Sequence, residues 1–306
     1  MRHIFILLPF IILSGIALSM STDIPEESTS PEAYLNHFLL VIDSSTYKDI
    51  VESDFIKNEF AHFEERTTVV NNDASYSGAY VYGDNTYFEF LEGSNSPDSV
   101  TLGITSAIGF GVDKKDELKI IQKKLKEYKN AFYTQRTREL EGTQIPWFFT
   151  AGVFYGKTSP DITTWVMEYH EDFLKKWHPD LAPLSPGITR KDVLTRYAAK
   201  IAKPEHPRPK LLKDVVEIDL TLNQKDLEIL GGELSVFGYE FKVKDDKKIY
   251  IGPEIKLIVE INDSGRGKIT GIKMSLHHNR HKEESFVFGQ KARLTLHADG
   301  TATWLF

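Results

Sequence analysis

The sequence predicts an α+β fold of two side-by-side strand–helix–three-strand modules, written βαβββ, followed by a smaller α+β C-terminal module. Three observations predict it. A glutamate-bearing strand occurs twice, as Thr86-Tyr87-Phe88-Glu89-Phe90-Leu91 and as Trp165-Val166-Met167-Glu168-Tyr169-His170. Each copy ends the same local plan of apolar strand, capped helix and two further strands. The opening of that plan, an apolar strand running into an Asp or Asn cap, appears a third time beyond residue 210. A carboxylate set amid apolar and aromatic strand neighbours is costly unless a cation or a hydrogen-bond donor meets it. Two of them at equivalent places point to a site built between the two copies.

The first module opens with apolar Leu35 to Ile42, after which Asp43-Ser44-Ser45 caps a helix starting near Thr46. Side-chain oxygens of Asp, Ser and Asn take up free amide protons of a first helical turn. Strands follow at Arg66 to Val70, Tyr76 to Tyr82 and Thr86 to Glu92, the last two joined by the tight link Gly83-Asp84-Asn85. The second module opens with Ala107 to Val112, and Asp113 caps a helix from Lys114 to Tyr128. Leu118, Ile121, Leu125 and Tyr128 share one face of that helix, opposite its lysines. Its strands are Ala131 to Arg138, Trp147 to Tyr155 and Thr163 to His170. Prolines then punctuate a surface connector, with one helix expected at Arg190 to Ile201 capped by Thr189. Val215 to Leu222, capped at Asn223, starts a third and single module. It ends in a hairpin of Ala292 to His297 and Thr301 to Phe306, turning at Ala298-Asp299-Gly300.

The chain has 306 residues, is 41% apolar and 12% aromatic, and carries a formal charge of −7. Those values suit a globular protein with real cores and exclude a disordered chain. With no basic stripe, a nucleic-acid surface is excluded as well. No cysteine is present, so neither disulfides nor thiol chemistry contribute. Arg2 and His3 precede an apolar run from Ile4 to Leu18, and small residues at Ala17, Ser19 and Ser21 follow the small-x-small cleavage rule. The run is short for a membrane span. The expectation is cleaved export to the periplasm or the exterior. Membrane contact arises only if the segment stays uncleaved. The expected boundaries are 1–21 for a signal peptide, 22–32 for a polar spacer, 33–180 for the paired modules, 181–209 for the connector and 210–306 for the C-terminal module.

Within this plan the chain resembles the vicinal oxygen chelate superfamily, the glyoxalase and bleomycin-resistance group. The marks are the Asn36-His37-Phe38 opening, the Phe63-Glu64-Glu65-Arg66-Thr67-Thr68 stretch and the Tyr87-Phe88-Glu89-Phe90 strand, which look like an uncharacterised, often secreted, branch of it. The resemblance implies that the paired modules, over about Leu35 to Tyr169, form a half-open barrel. It also implies metal ligands on the first and last strand of each module. His37 and Glu89 match two of those positions and Glu168 a third. The fourth falls on Ala107, Ile108 or Gly109, none of which can ligate, so His170 is the substitute candidate. Imidazole with carboxylates suits a divalent Zn, Fe, Ni or Mn ion. Modules pair within a chain or across a dimer in this superfamily, and the oligomeric state stays open.

Residue by residue, plainer readings stand beside these. A strand glutamate can pair with Arg66 or Arg138 on a neighbouring strand and be purely structural. Arg66 can grip an anionic ligand or pair with Glu64 or Glu89. Tyr80, Tyr82, Trp147 and Phe149 are core residues or the aromatic wall of a small-molecule cavity. Glu217 and Glu260 are relic carboxylates of the third module, and His277-His278-Asn279-Arg280-His281 reads as an exposed turn. Glycine-rich phosphate loops and nucleophile elbows are absent. The expected function is binding of a small polar ligand in a barrel cavity. This is either metal-dependent lyase, isomerase or dioxygenase chemistry or metal-free binding and sequestration, with a cell-envelope interaction protein as the third reading.

Overall fold

The computed structural model describes residues 31–71, 74–93, 104–179, 187–202 and 209–306. The expected signal peptide, most of the spacer and parts of the connector lie outside these residues. Residues 31–306 form one compact unit.

Two modules of the expected βαβββ order build the first sheet. Module one comprises β1 (Tyr34–Ile42), α1 (Ser44–Glu52), β2 (His62–Asn71), β3 (Ala74–Tyr82) and β4 (Tyr87–Glu92). Module two comprises β5 (Ser106–Gly111), α2 (Glu117–Leu125), β6 (Ala131–Leu140), β7 (Thr143–Val153) and β8 (Ile162–Tyr169). The sheet runs β2-β3-β4-β1-β5-β8-β7-β6, with β1 parallel to β4, β5 parallel to β8, and the modules joined by the antiparallel pair β1–β5. A helix between strands one and two of each module returns the chain to the starting edge, which is why first and last strands run parallel. Asp43 caps α1 as the sequence predicts, its carboxylate accepting from the Thr46 amide at 2.9 Å.

Two short helices follow β8. The first, α3 (Glu171–Trp177), starts at His170, and the second, α4 (Arg190–Ile201), starts at Thr189 with a complete capping box to Asp192. That second helix has the bounds and the cap the sequence predicts. It is anchored by Arg190, almost fully buried, which bonds the Asp113 carboxylate and the Leu35 carbonyl. Asp113 was the expected cap of α2; its carboxylate instead serves Arg190, and α2 begins three residues later than expected.

The C-terminal module is itself double. It holds β9 (Leu212–Leu222), α5 (Gln224–Val236), β10 (Glu240–Lys244), β11 (Lys247–Gly252) and β12 (Ile255–Ile261), then β13 (Lys268–Leu276), β14 (Glu284–Phe288), β15 (Ala292–Leu296) and β16 (Thr301–Leu305). Its sheet order, β10-β11-β12-β9-β13-β16-β15-β14, repeats that of the first sheet. The expected third, single module therefore has a partner that lacks its helix. Without that return path, β14 runs straight back from β13, and β16 ends antiparallel to β13 where β8 is parallel to β5. The main core lies between the outer face of the first sheet, helices α1, α2 and α5, and the inner face of the second sheet. Trp304, fully buried, meets Phe88 and Phe90 edge-on or tilted at 5.9 and 5.1 Å. Burying such rings removes large apolar areas from water and dominates the cohesion of the unit.

Candidate functional site

All eight strands of the first sheet line one cavity of about 720 Å³ on its concave face, so the sheet curls into the half-open barrel. The edge strands β2 and β6 bring in Arg66 and the pair Arg136 and Arg138. Helix α4 lies over the opening, and its Tyr197 reaches both halves. Its ring stacks on Tyr82 at 5.5 Å, and its hydroxyl accepts a hydrogen bond from Arg138. From Tyr197 a row of rings runs inward through Tyr82 and Tyr87 to His37 and Trp165, with neighbouring centroids 4.6–5.5 Å apart. Burial holds Tyr82, Tyr87 and Tyr169 well above the ordinary tyrosine value, so these phenols stay neutral hydrogen-bond donors.

Glu89 projects from β4 into this cavity. Its side chain is half-buried and borders the cavity. Burial pushes its carboxyl up to about 7, against the lowering influence of the Arg66 guanidinium and of a hydrogen bond from Tyr80. Arg66 sits 4.2 Å over the Tyr80 ring and 3.7 Å from Glu64, so its charge is already shared. Arg138 is different. It lies over the rings of Trp147, Trp177 and Tyr197 at 5.3–5.6 Å. Among the described residues, neither Arg138 nor Arg136 has a carboxylate partner.

His37 is buried, its Nδ1 held 2.9 Å from the Asn36 side-chain oxygen, and its ring stacked on Tyr87 with an interplanar angle of 10°. A register shift at Asn36 in the β1–β5 ladder is the local irregularity that orients both side chains. Burial lowers the His37 imidazole to about 3, so it is neutral across the physiological range. Gly109 faces His37 and Trp165 in the two ladders that flank it. A Cβ there would lie 2.7 Å from His37 Cε1 and 3.0 Å from Trp165 Cε2. The place where the resemblance implies a fourth ligand is filled by these two rings.

The expected metal set is not assembled. Glu168 points to the outer face, where its two oxygens accept the Asp116 and Leu118 amides at 2.9 and 3.0 Å and so cap α2 from a neighbouring strand. His170 caps α3 through Nδ1, accepting from the Asp172 amide at 3.2 Å, while its ring lies 5.4 Å from Phe149. His37 pairs in register with Tyr87, and Glu89 with Leu39, so the two remaining candidates are staggered by two residues. Among the described residues no three His, Asp or Glu side chains group to hold a cation. The residues present do not fit the metal.

Of the expected ligand-binding residues, Arg66, Tyr80, Tyr82 and Trp147 border the cavity and Phe149 does not. Phe149 stacks on Tyr133 on the outer face. A register shift opposite Pro146 and Phe148 breaks the alternation of β7, which puts Phe148 beside Trp147 on the cavity wall. Sequence reasoning missed Tyr87, two residues before Glu89 on the same strand face, and read Arg138 only as an ion-pair partner. It also missed Tyr197, which no local signal marks.

A family model, described as a family of unknown function (DUF5829), matches residues 35–306. No curated protein matches the chain in sequence. Among solved structures, a hypothetical protein from Staphylococcus aureus is similar at 9% identity and a TM-score of 0.48, over 83% of this chain and 95% of that one. A variant of 4-hydroxymandelate synthase from Streptomyces coelicolor is similar at 12% identity and a TM-score of 0.38, over 77% of this chain and 64% of that one. A candidate dioxygenase from Bacillus subtilis follows at 13% and 0.26, over 87% and 81%. These likenesses are too distant to carry an activity over.

Proposed function

We propose, for a chain that belongs to the family of unknown function DUF5829, that the barrel cavity binds a small organic anion with a flat or aromatic body, without a metal ion as the anchoring group. The observation that carries this reading is Arg138, a guanidinium on the cavity wall with aromatic neighbours and, among the described residues, no carboxylate partner. A charged donor of that kind contributes most to affinity when an anion completes it, and guanidinium suits carboxylate and phosphate in a two-point grip. The aromatic wall supplies the apolar contact that a small-molecule site normally has. The βαβββ pairing supports placing the chain within the vicinal oxygen chelate superfamily. The charged start and apolar run of residues 1–21 support export.

The test is titration of purified protein with a panel of aromatic carboxylates and phosphates, read by the fluorescence of Trp147 and Trp165. Arg138→Met should weaken the best ligand about 10- to 100-fold, the range expected for a hydrogen bond to a charged group. Absence of binding across the panel, or an unchanged affinity in the variant, would overturn the reading.

A second reading is favoured by Glu89. A carboxyl held near 7 inside a cavity is matched to moving a proton near neutrality. Solvent deuterium entering a bound ligand at carbon, and lost in Glu89→Gln, would turn the binding module into a proton-transfer enzyme.

A further inference from the structure

Strand β4 sets Tyr87 on the cavity face of the first sheet. Across the two flanking ladders it lies opposite His37 of β1 and Tyr82 of β3, and all three border the cavity. Its neighbour in sequence, Phe88, points the other way, into the core. The Tyr87 ring is stacked on His37 at 4.6 Å and lies 5.5 Å from the ring of Tyr82. Those contacts fix the ring, so its hydroxyl keeps only rotation about its own C–O bond. The groups that act electrostatically on that hydroxyl are Glu89, Tyr169, Tyr82 and Tyr197, which border the cavity from β4, β8, β3 and helix α4. The hydroxyl therefore ends inside the barrel, among groups that enclose the cavity.

The phenols around it each have a partner. Tyr82 donates to Glu64 at 3.2 Å, Tyr80 bonds the Glu89 carboxyl, Tyr169 is bonded to Asn36, and Tyr197 accepts from Arg138. Among the described residues the Tyr87 hydroxyl has no hydrogen-bond partner. A neutral phenol has one proton to donate. We propose that Tyr87 is a ligand-binding residue whose hydroxyl donates to an oxygen acceptor of the bound acid. The ligand is then two-ended, with an anionic group for Arg138 and a carbonyl or comparable oxygen for Tyr87. This rests on the anion-binding reading of the same cavity. Selectivity follows because a ligand without an acceptor strips water from the hydroxyl and returns nothing, whereas one with an acceptor replaces that water. The stacked ring is already in place, so the bond costs little ordering.

The experiment compares acids of matched shape by calorimetric titration. The probes are 4-acetylbenzoate and 4-isopropylbenzoate, which differ in a carbonyl oxygen against a methyl group. The same pair built on phenylacetate and on 3-phenylpropanoate spans longer distances from the carboxylate. In at least one series the acetyl acid should bind about three- to tenfold tighter than its isopropyl partner, as one neutral hydrogen bond allows. Tyr87→Phe keeps the ring that stacks on His37. It should abolish that preference, hold the isopropyl acid within about twofold, and leave the urea midpoint in place. Equal binding of both acids in every series would overturn the assignment of Tyr87 alone. So would a preference that survives Tyr87→Phe and disappears in Tyr197→Phe, which would belong to the other hydroxyl. A Tyr87→Phe variant that weakens both acids equally, or melts earlier in urea, has lost packing or a structural bond, and that too would overturn it. Failure of every acid to bind would overturn it together with the reading it rests on.

Discussion

Arg138 donates a hydrogen bond to the Tyr197 hydroxyl, and through that bond helix α4 joins an edge strand of module two to Tyr82 of module one. The opening of the barrel is therefore spanned by one side chain whose ring serves one half and whose hydroxyl serves the other. Tyr197→Phe keeps the stacking and loses the bond. It should cost about 0.5–1.5 kcal/mol in urea unfolding, the net worth of one hydrogen bond. It should also weaken anion binding by letting the Arg138 guanidinium wander.

The Glu89 and His37 side chains give stability opposite slopes with pH. The Glu89 carboxyl is raised in the folded state from 4.5 to about 7, so the folded state holds more protons and stability falls as pH climbs through that interval. His37 is lowered from 6.5 to about 3, so the unfolded state holds more protons and stability is lost as pH falls below 6.5. Glu89→Gln should flatten the decline toward neutral pH in a series of denaturant titrations. His37→Gln should instead flatten the loss on acidification. A wild-type minus Glu89→Gln difference that shrinks on acidification from pH 7 toward 4.5 would contradict the placement of this carboxyl in the cavity.

Glu168 acts on α2 and not on the cavity. Glu168→Ala removes the acceptor for two amides at the start of that helix and should cost about 0.5–2 kcal/mol. Ligand affinity should stay within the error of the titration. A variant that loses affinity with little loss of stability would return this residue to the site.

Gly109→Ala is the sharpest packing test. The added methyl would press on the rings of His37 and Trp165. Overpacking of this kind costs about 1–3 kcal/mol. Because Trp165 borders the cavity, its emission should shift in the variant even before any ligand is added.

The order of elements in the paired modules was readable because caps and alternation mark it locally: Asp43 at α1, Thr189 at α4, Asn223 at α5. The facing of β8 was not, since both of its sides are covered, one by the cavity wall and one by α2. The Trp-Val-Met-Glu-Tyr-His run then lacks a polar face to set its parity. Alternation put Glu168 inward, whereas Trp165, Met167 and Tyr169 are the residues that border the cavity. Phe149 failed for a different reason, the register shift beside Pro146 in β7. Gly109 looked like a gap in a ligand set and is a space made for His37. The doubling of the C-terminal sheet escaped notice because modules were recognised by their helices, and the segment after β13 has none.

That missing helix has a consequence for the integrity of the chain. Part of the strip on β14 that a fourth helix would cover is occupied by module one. Phe55 stacks on Phe286 at 3.9 Å, and the Asp49 carboxylate accepts the Gly289 amide at 2.7 Å. The last module thus borrows its cover from the first, 240 residues earlier in the chain at the Asp49–Gly289 contact. Severing the polypeptide in the connector would bare an oily strip on the C-terminal piece and strand Trp304 without Phe88 and Phe90. The two sheets are then halves of one cooperative melt, and neither is a portable cassette.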